Sequence, residues 1–172
     1  MAGKHHSSKT KAQLSEAVKL LWQNPEYKEK AIRATLKASF VRPTAPEVEL
    51  RGMLDKTFPG EWKYVGDGDF ILGGKNPDFV NVNGQKAVVE VFGDYWHSER
   101  ITGKSPEQEV ADRVAHFARY GFKCLVVWEH EMRDLDAVAA RVENLRSSTE
   151  GLTNHETHNM PARDGSCEPV LP

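Results

Sequence analysis

The sequence predicts a mixed α/β sheet with helices on its faces, and three observations carry that expectation. Short runs rich in Val, Phe, Tyr and Trp are bounded by Gly, Pro and Asn-Gly. Helical apolar periods stand before, between and after those runs. Their order, helix, three or four strands, helix, strand, helix, is that of a mixed sheet covered by helices.

Residues 12–22 carry Leu14, Val18 and Leu21 at i, i+4 and i+7, the stripe of an amphipathic helix. Pro25 suits the first position of a second helix reaching Ala38, with Asn24 as its cap. Two short lysine-rich helices make a poor core of their own, so they are expected to lie against another surface. From Thr44 the pattern changes. Pro46 opens a helix capped by Thr44 or Ala45, with Leu50, Met53, Leu54 and Phe58 as its buried stripe, and Pro59-Gly60 ends it. Strands are expected at 62–65, 70–72, 79–82 and 87–92, with turns at Gly66-Asp67-Gly68 and Gly73-Gly74. Asn83-Gly84 closes a hairpin between the last two strands. Residues 93–105 read as a polar loop. Pro106 then starts a helix with Val110, Val114, Phe117 and Ala118 facing inward, and Gly121 stops it. A buried strand follows at 123–128 and a final helix at 135–145. From Ser147 onward Ser, Thr, Gly, Asn and Pro dominate, the composition of a disordered tail. The chain thus divides into a basic helical extension (1–42), an α/β domain (43–146) and a tail (147–172).

The chain's 172 residues suffice for one domain with appendages, and 39% hydrophobic content lets a core form without staples. Cys124 lies in an apolar run and Cys167 in the polar tail, which offers neither a disulfide framework nor a four-cysteine metal site. No apolar stretch approaches a membrane span, and the first residues lack the apolar core of a signal peptide, so a cytoplasmic protein without membrane contact is expected. The net charge of -2 conceals an asymmetry. Residues 1–42 hold nine Lys or Arg against three Glu, a balance of +6, and the remainder sits at -8. A cationic arm ahead of an acidic body suits a protein that grips phosphates with one part and metal cations with another.

The residues that carry chemistry cluster around the hairpin. Asp78 stands at the entrance of one strand, Glu90 interrupts the apolar run Ala-Val-Val-Glu-Val-Phe, and His97 lies just beyond that second strand. An unpaired carboxylate inside such a run costs several kcal/mol, which a metal or a basic partner removes. Hydrolysis of a phosphodiester needs this convergence: carboxylates holding a hard cation, and a base that takes a proton from water. Trp96 reads as packing, or as an aromatic that stacks on bases.

Four segments in order make the pattern specific: Thr44-Ala45-Pro46-Glu47, Pro77-Asp78-Phe79-Val80, Gly93-x-x-Trp96-His97, and Tyr120-Gly121-Phe122-Lys123-Cys124-Leu125-Val126-Val127-Trp128-Glu129. Together they resemble the signature of the very short patch repair (Vsr) endonucleases and of the related phage homing endonucleases whose motif is E-D-x-H-D. The resemblance spans about residues 40–132. It implies a restriction-endonuclease-like core of the PD-(D/E)XK superfamily, here with a helical N-terminal extension, and cleavage of double-stranded DNA with Mg²⁺. Carried over residue by residue, it makes Asp78 a direct metal ligand, His97 the general base, and Glu47 the group that holds metal-bound water or orients the base. It adds the Val91 backbone carbonyl to the metal set, with Glu90 as a further carboxylate. The last acidic position of the motif does not align without a gap, since it falls on Val110. Its role passes to Asp112 or Glu109, of which Asp112 is favoured. The repair enzymes also hold a structural zinc through cysteines whose positions here are Asp94 and His130, so no structural zinc is expected.

The segment from Lys11 to Ile32 resembles small DNA-binding modules attached to phage and intron-encoded nucleases. On that reading Lys9, Lys11, Lys19, Lys28, Lys30, Arg33 and Lys37 contact phosphates. The alternative is a helical hairpin packed on the body, with Trp22 and Tyr27 as its core. The expected setting is a phage or mobile-element homing nuclease in a bacterial host cell, acting as a monomer or as a homodimer on DNA. A T·G mismatch nickase, a catalytically silent DNA-binding protein and an RNA-processing enzyme are the alternatives.

Overall fold

Alternation along the strands sorts the apolar residues onto two faces of one sheet, and the helices are positioned by what they cover. The computed structural model describes residues 6–38 and 42–153. The first two helices are α1 (Ser8–Gln23) and α2 (Pro25–Ala38), and the domain begins with α3 (Ala45–Thr57). The sheet holds β1 (Trp62–Tyr64), β2 (Phe79–Asn81), β3 (Ala87–Phe92) and β4 (Lys123–Trp128). Between β3 and β4 lie the short α4 (Glu99–Thr102) and α5 (Pro106–Ala118). A 3-10 turn (Glu129–Arg133) and α6 (Leu135–Thr153) follow. The strand order is β1-β2-β3-β4, antiparallel twice and then parallel, so the sheet is mixed as expected. The parallel step requires a crossover, which α5 supplies.

One face of the sheet buries Phe79, Ala87 and Val89 with Leu50, Met53 and Leu54 of α3 and Val138 and Val142 of α6. The other face buries Val80 and Val88 with Phe117 of α5. Leu50, Met53, Leu54 and Phe58 are all buried, as their helical spacing requires. Ser105 starts α5 through a reciprocal cap: its hydroxyl accepts from the Gln108 N–H at 3.3 Å, and the Gln108 side chain accepts from the Ser105 N–H at 2.9 Å. Asn24 caps α2 by accepting from the backbone N–H groups of Glu26 and Tyr27.

Four expectations are corrected. Residues 70–72 form no strand: Leu72 and Lys75 exchange backbone hydrogen bonds at 2.8 and 2.9 Å across Gly73-Gly74, a single bridge that closes at once. In α5, Val114 and Ala118 are exposed, and the inward face carries Arg113, His116 and Phe117. Residues 99–102 of the presumed loop are helical. Residues 147–153, assigned to a disordered tail, continue α6, and the rest of that segment lies outside the described residues.

The N-terminal extension meets the domain through α2. The Arg33 guanidinium donates to the carbonyl oxygens of Gly68 and Asp69 at 2.8 and 3.3 Å and pairs with Glu29 at 3.0 Å. These bonds make Arg33 a strut between helix and loop. Helix α1 buries no residue, and Trp22 meets Tyr27 edge-on at 6.2 Å while both remain exposed. Among the described residues no helix is long and apolar enough to cross a membrane.

Candidate active site

Strands β2 and β3 pair with Phe79 opposite Val89 and Val80 opposite Val88. Continued by one residue, this register sets Asp78 opposite Glu90 on one face of the sheet, the face covered by α5. One residue further, Pro77 stands opposite Val91. Proline has no N–H, so the ladder ends there and the Val91 carbonyl receives no donor from it. The Val91 N–H turns instead to Asp78, donating to Oδ2 at 2.7 Å. Asn76 fixes the strand entrance by donating to the carbonyl oxygens of Val65 and Pro77 at 2.7 and 2.6 Å.

The two carboxylates are held differently. Glu90 is 3% exposed and receives Arg113 of α5 at 3.1 Å, so a basic partner offsets its burial. Even so, burial raises its pKa to about 8, against the pull of Arg113 and with a further push from Asp78. Asp78 has no ion pair among the described residues, and burial raises its pKa to about 7, opposed by the Val91 N–H and assisted by Glu47. At both groups burial outweighs the positive charge of Arg113.

Glu47 reaches the same end of the sheet from the first turn of α3. Its Oε2 accepts from the Thr44 N–H at 3.2 Å, capping the helix, and from the Tyr64 hydroxyl at 3.0 Å. Burial, and then the charge of Glu47, raise the Tyr64 pKa, so the phenol stays protonated and donates. A cavity of about 330 Å³ opens here, bounded by Glu47, Val91, Gly93, Trp96, His97 and Glu129.

His97 lies flat on Phe92, with ring centroids 3.6 Å apart and planes 2° from parallel. Its Nδ1 is 3.2 Å from Glu109 Oε2. Burial lowers its pKa, so the ring is neutral at pH 7, with Nδ1–H directed to Glu109 and Nε2 left as the basic atom. The structure thus brings Glu109, rather than the favoured Asp112, to the histidine. Asp112 is exposed and pairs with Lys104. Arg113 and Tyr64 complete the arrangement and were missed from the sequence, although the buried Glu90 was a signal that a cation had to stand nearby.

Among the described residues, no three His, Cys, Asp or Glu side chains close into a protein-only metal cage. The donors that remain are the Asp78 carboxylate and the Val91 carbonyl, since Glu90 is engaged by Arg113. An incomplete oxygen set of this kind fits Mg²⁺, which keeps several of its own waters. Asp94 and His130, at the positions of the zinc ligands in the resembling family, bond to each other at 2.7 Å. Trp96 is no core residue: it meets Tyr95 edge-on at 5.1 Å and is 70% exposed at the rim of the cavity.

No protein-family profile matches the chain, and no curated protein matches it. A solved structure similar to it is the catalytic domain of the homing endonuclease I-Bth0305I, with a TM-score of 0.46 and 20% identity, covering 62% of this chain and 98% of that one.

Proposed function

We propose that this chain is a metal-dependent endonuclease that hydrolyses phosphodiester bonds in duplex DNA, of the E-D-x-H-D homing type. The observation that carries this reading is the approach of His97, neutral and held through Nδ1 by Glu109, to the cavity bounded by Glu47 and Val91, beside Asp78. Bound Mg²⁺ would supply Lewis acidity to offset phosphate charge. Asp78 and the Val91 carbonyl would hold it, and Glu47, steadied by Tyr64, would orient water. His97 takes the proton of the attacking water at Nε2, and Glu109 stabilises the imidazolium that results. Glu90 and Arg113 hold β3 to α5 and so fix the spacing between Asp78 and His97. No covalent intermediate is required. The exposed lysines of α1 add phosphate contacts that carry little sequence information, while Trp96 stands where it can stack on an unpaired or distorted base.

The test is nicking of supercoiled plasmid with Mg²⁺ and with EDTA, run beside a duplex carrying one T·G mismatch. Metal-dependent cutting of perfect duplex is expected. A strong preference for the mismatch would move the reading to repair, and retardation without cutting under any divalent metal would leave a DNA-binding protein.

A further inference from the structure

On the other side of Glu109 from the catalytic cavity lies a second cleft of about 340 Å³, between α5 and the turn at residues 72–75. Lys75, Lys104, Glu109, Asp112, Arg113, His116 and Arg119 line it with Ala115. Gly73 and Gly74 both have positive φ, 55° and 81°, a conformation that favours glycine, and this tight reversal leaves Lys75 at the cleft. The Tyr120 hydroxyl crosses Gly73 and the Lys28 side chain crosses Gly74, each where a β-carbon would stand. Buried His116 donates from Nε2 to the Leu72 carbonyl at 2.8 Å and accepts at Nδ1 from Arg119 at 3.0 Å. The turn, the histidine and Arg119 are therefore one connected unit.

The charges of this cleft do not balance. Arg113 is matched by Glu90, and Lys104 by Asp112. Glu109 faces His97. Among the described residues no carboxylate lies within ion-pair distance of Lys75 or Arg119. The cleft therefore holds two cations without a direct ion pair, against the one carboxylate of Glu109, whose partner His97 is neutral, and it shares Glu109 and Arg113 with the catalytic arrangement.

We propose that this cleft takes a second backbone phosphate of the DNA, flanking the one that is cut, with Lys75 and Arg119 as its contacts. This rests on the endonuclease reading and adds to it the residues that seat the substrate. A phosphate here fixes the register of the duplex relative to His97, since α5 carries both Arg119 and Glu109. The contact is made equally with uncut substrate and at the transition state, so it acts on binding and not on the rate of the bound complex.

The test measures binding of a short duplex in EDTA across a salt series, and cleavage kinetics in Mg²⁺, for the wild type, the double variant Lys75→Gln/Arg119→Gln, Lys75→Arg, and the control Lys56→Gln. Glutamine at 119 keeps an N–H donor for His116, so the turn is preserved. The double variant is expected to lose that one phosphate contact, flattening the slope of log affinity against log salt by about 0.9. Its KM for duplex should rise about tenfold or more with kcat retained, Lys75→Arg should keep the wild-type salt slope because the charge is kept, and the control Lys56→Gln should behave as wild type. A double variant with the wild-type salt slope, or one that loses kcat with KM unchanged, overturns the proposal while a cutting wild type leaves the endonuclease reading intact. A wild type that neither binds nor cuts duplex overturns both.

Discussion

Glu109 Oε2 lies 3.2 Å from His97 Nδ1, and Phe92 lies flat beneath the same ring, so the imidazole is fixed in both orientation and tautomer by two neighbours from different elements. Removing the ring in His97→Ala should lower the single-turnover nicking rate by about 10²–10⁴-fold. Glu109→Gln should lower it by roughly tenfold, and Asp112→Asn should leave it near wild type. Rates of the three variants on one supercoiled substrate check the assignment. A larger loss in Asp112→Asn than in Glu109→Gln would return the role to Asp112.

The raised carboxylates give a pH signature in the folded protein. Asp78 and Glu90 ionise near 7 and 8, above the ordinary values of 3.8 and 4.5. A folded pKa above the unfolded one contributes stability that is present at low pH and lost as pH rises through the folded value. In EDTA the melting temperature should therefore fall between about pH 4 and pH 8 through these two groups. Magnesium should restore it most at the alkaline end, where its ligands are already deprotonated. Asp78→Asn should flatten the fall, and calorimetric melting temperatures across that range measure it. An unchanged pH profile in Asp78→Asn would contradict the shift.

Activity should follow the opposite direction. His97 must be neutral, and burial has lowered its pKa below 6.5, so the base is available through the neutral range. Asp78 must be ionised to hold the cation. Cleavage at limiting Mg²⁺ should thus rise through pH 7, and saturating Mg²⁺ should move the rise to lower pH by competing with the proton. A pH–rate series at two metal concentrations tests this, and coincident curves would contradict it.

The Glu90–Arg113 pair should behave as a buried ion pair. Above pH 8, where Glu90 is ionised, Arg113→Ala strands a carboxylate that is 3% exposed and should cost about 3–5 kcal/mol in urea unfolding. Glu90→Gln in the same chain should recover much of that loss, because the uncompensated charge is gone. A double-mutant cycle with no recovery would show that Arg113 acts through its packing on Phe92, over which it lies at 5.4 Å.

The parts legible in the sequence are those decided by neighbours along the chain. The stripe Leu50, Met53, Leu54, Phe58 follows from helical spacing alone, and Asn83-Gly84 with the apolar runs around it specifies the β2–β3 hairpin. The anomaly of Glu90 was equally visible, but not its remedy: Arg113 is 23 residues away, and only the crossover brings it back over β3. The same cause misdirected the reading of α5. Counting apolar residues turned Val114 and Ala118 inward, whereas ion-paired Arg113 and hydrogen-bonded His116 occupy the inner face. Asp112, favoured over Glu109 in the sequence, does not lie on that inner face. One residue is a 100° step around a helix, and that step separates Arg113, facing Glu90, from Asp112, facing Lys104. The strand expected at 70–72 failed because a two-glycine reversal directly after Leu72 allows a single bridge and no ladder.

The most direct measurement is nicking of supercoiled plasmid in Mg²⁺ by the wild type, Asp78→Ala and His97→Ala, with duplex binding by all three measured in EDTA. The account predicts that the wild type nicks, that both variants lose nicking, and that all three bind DNA comparably, since binding rests on residues outside the pair. Nicking retained in both variants would contradict the site described here, and binding without nicking by the wild type would contradict the enzyme.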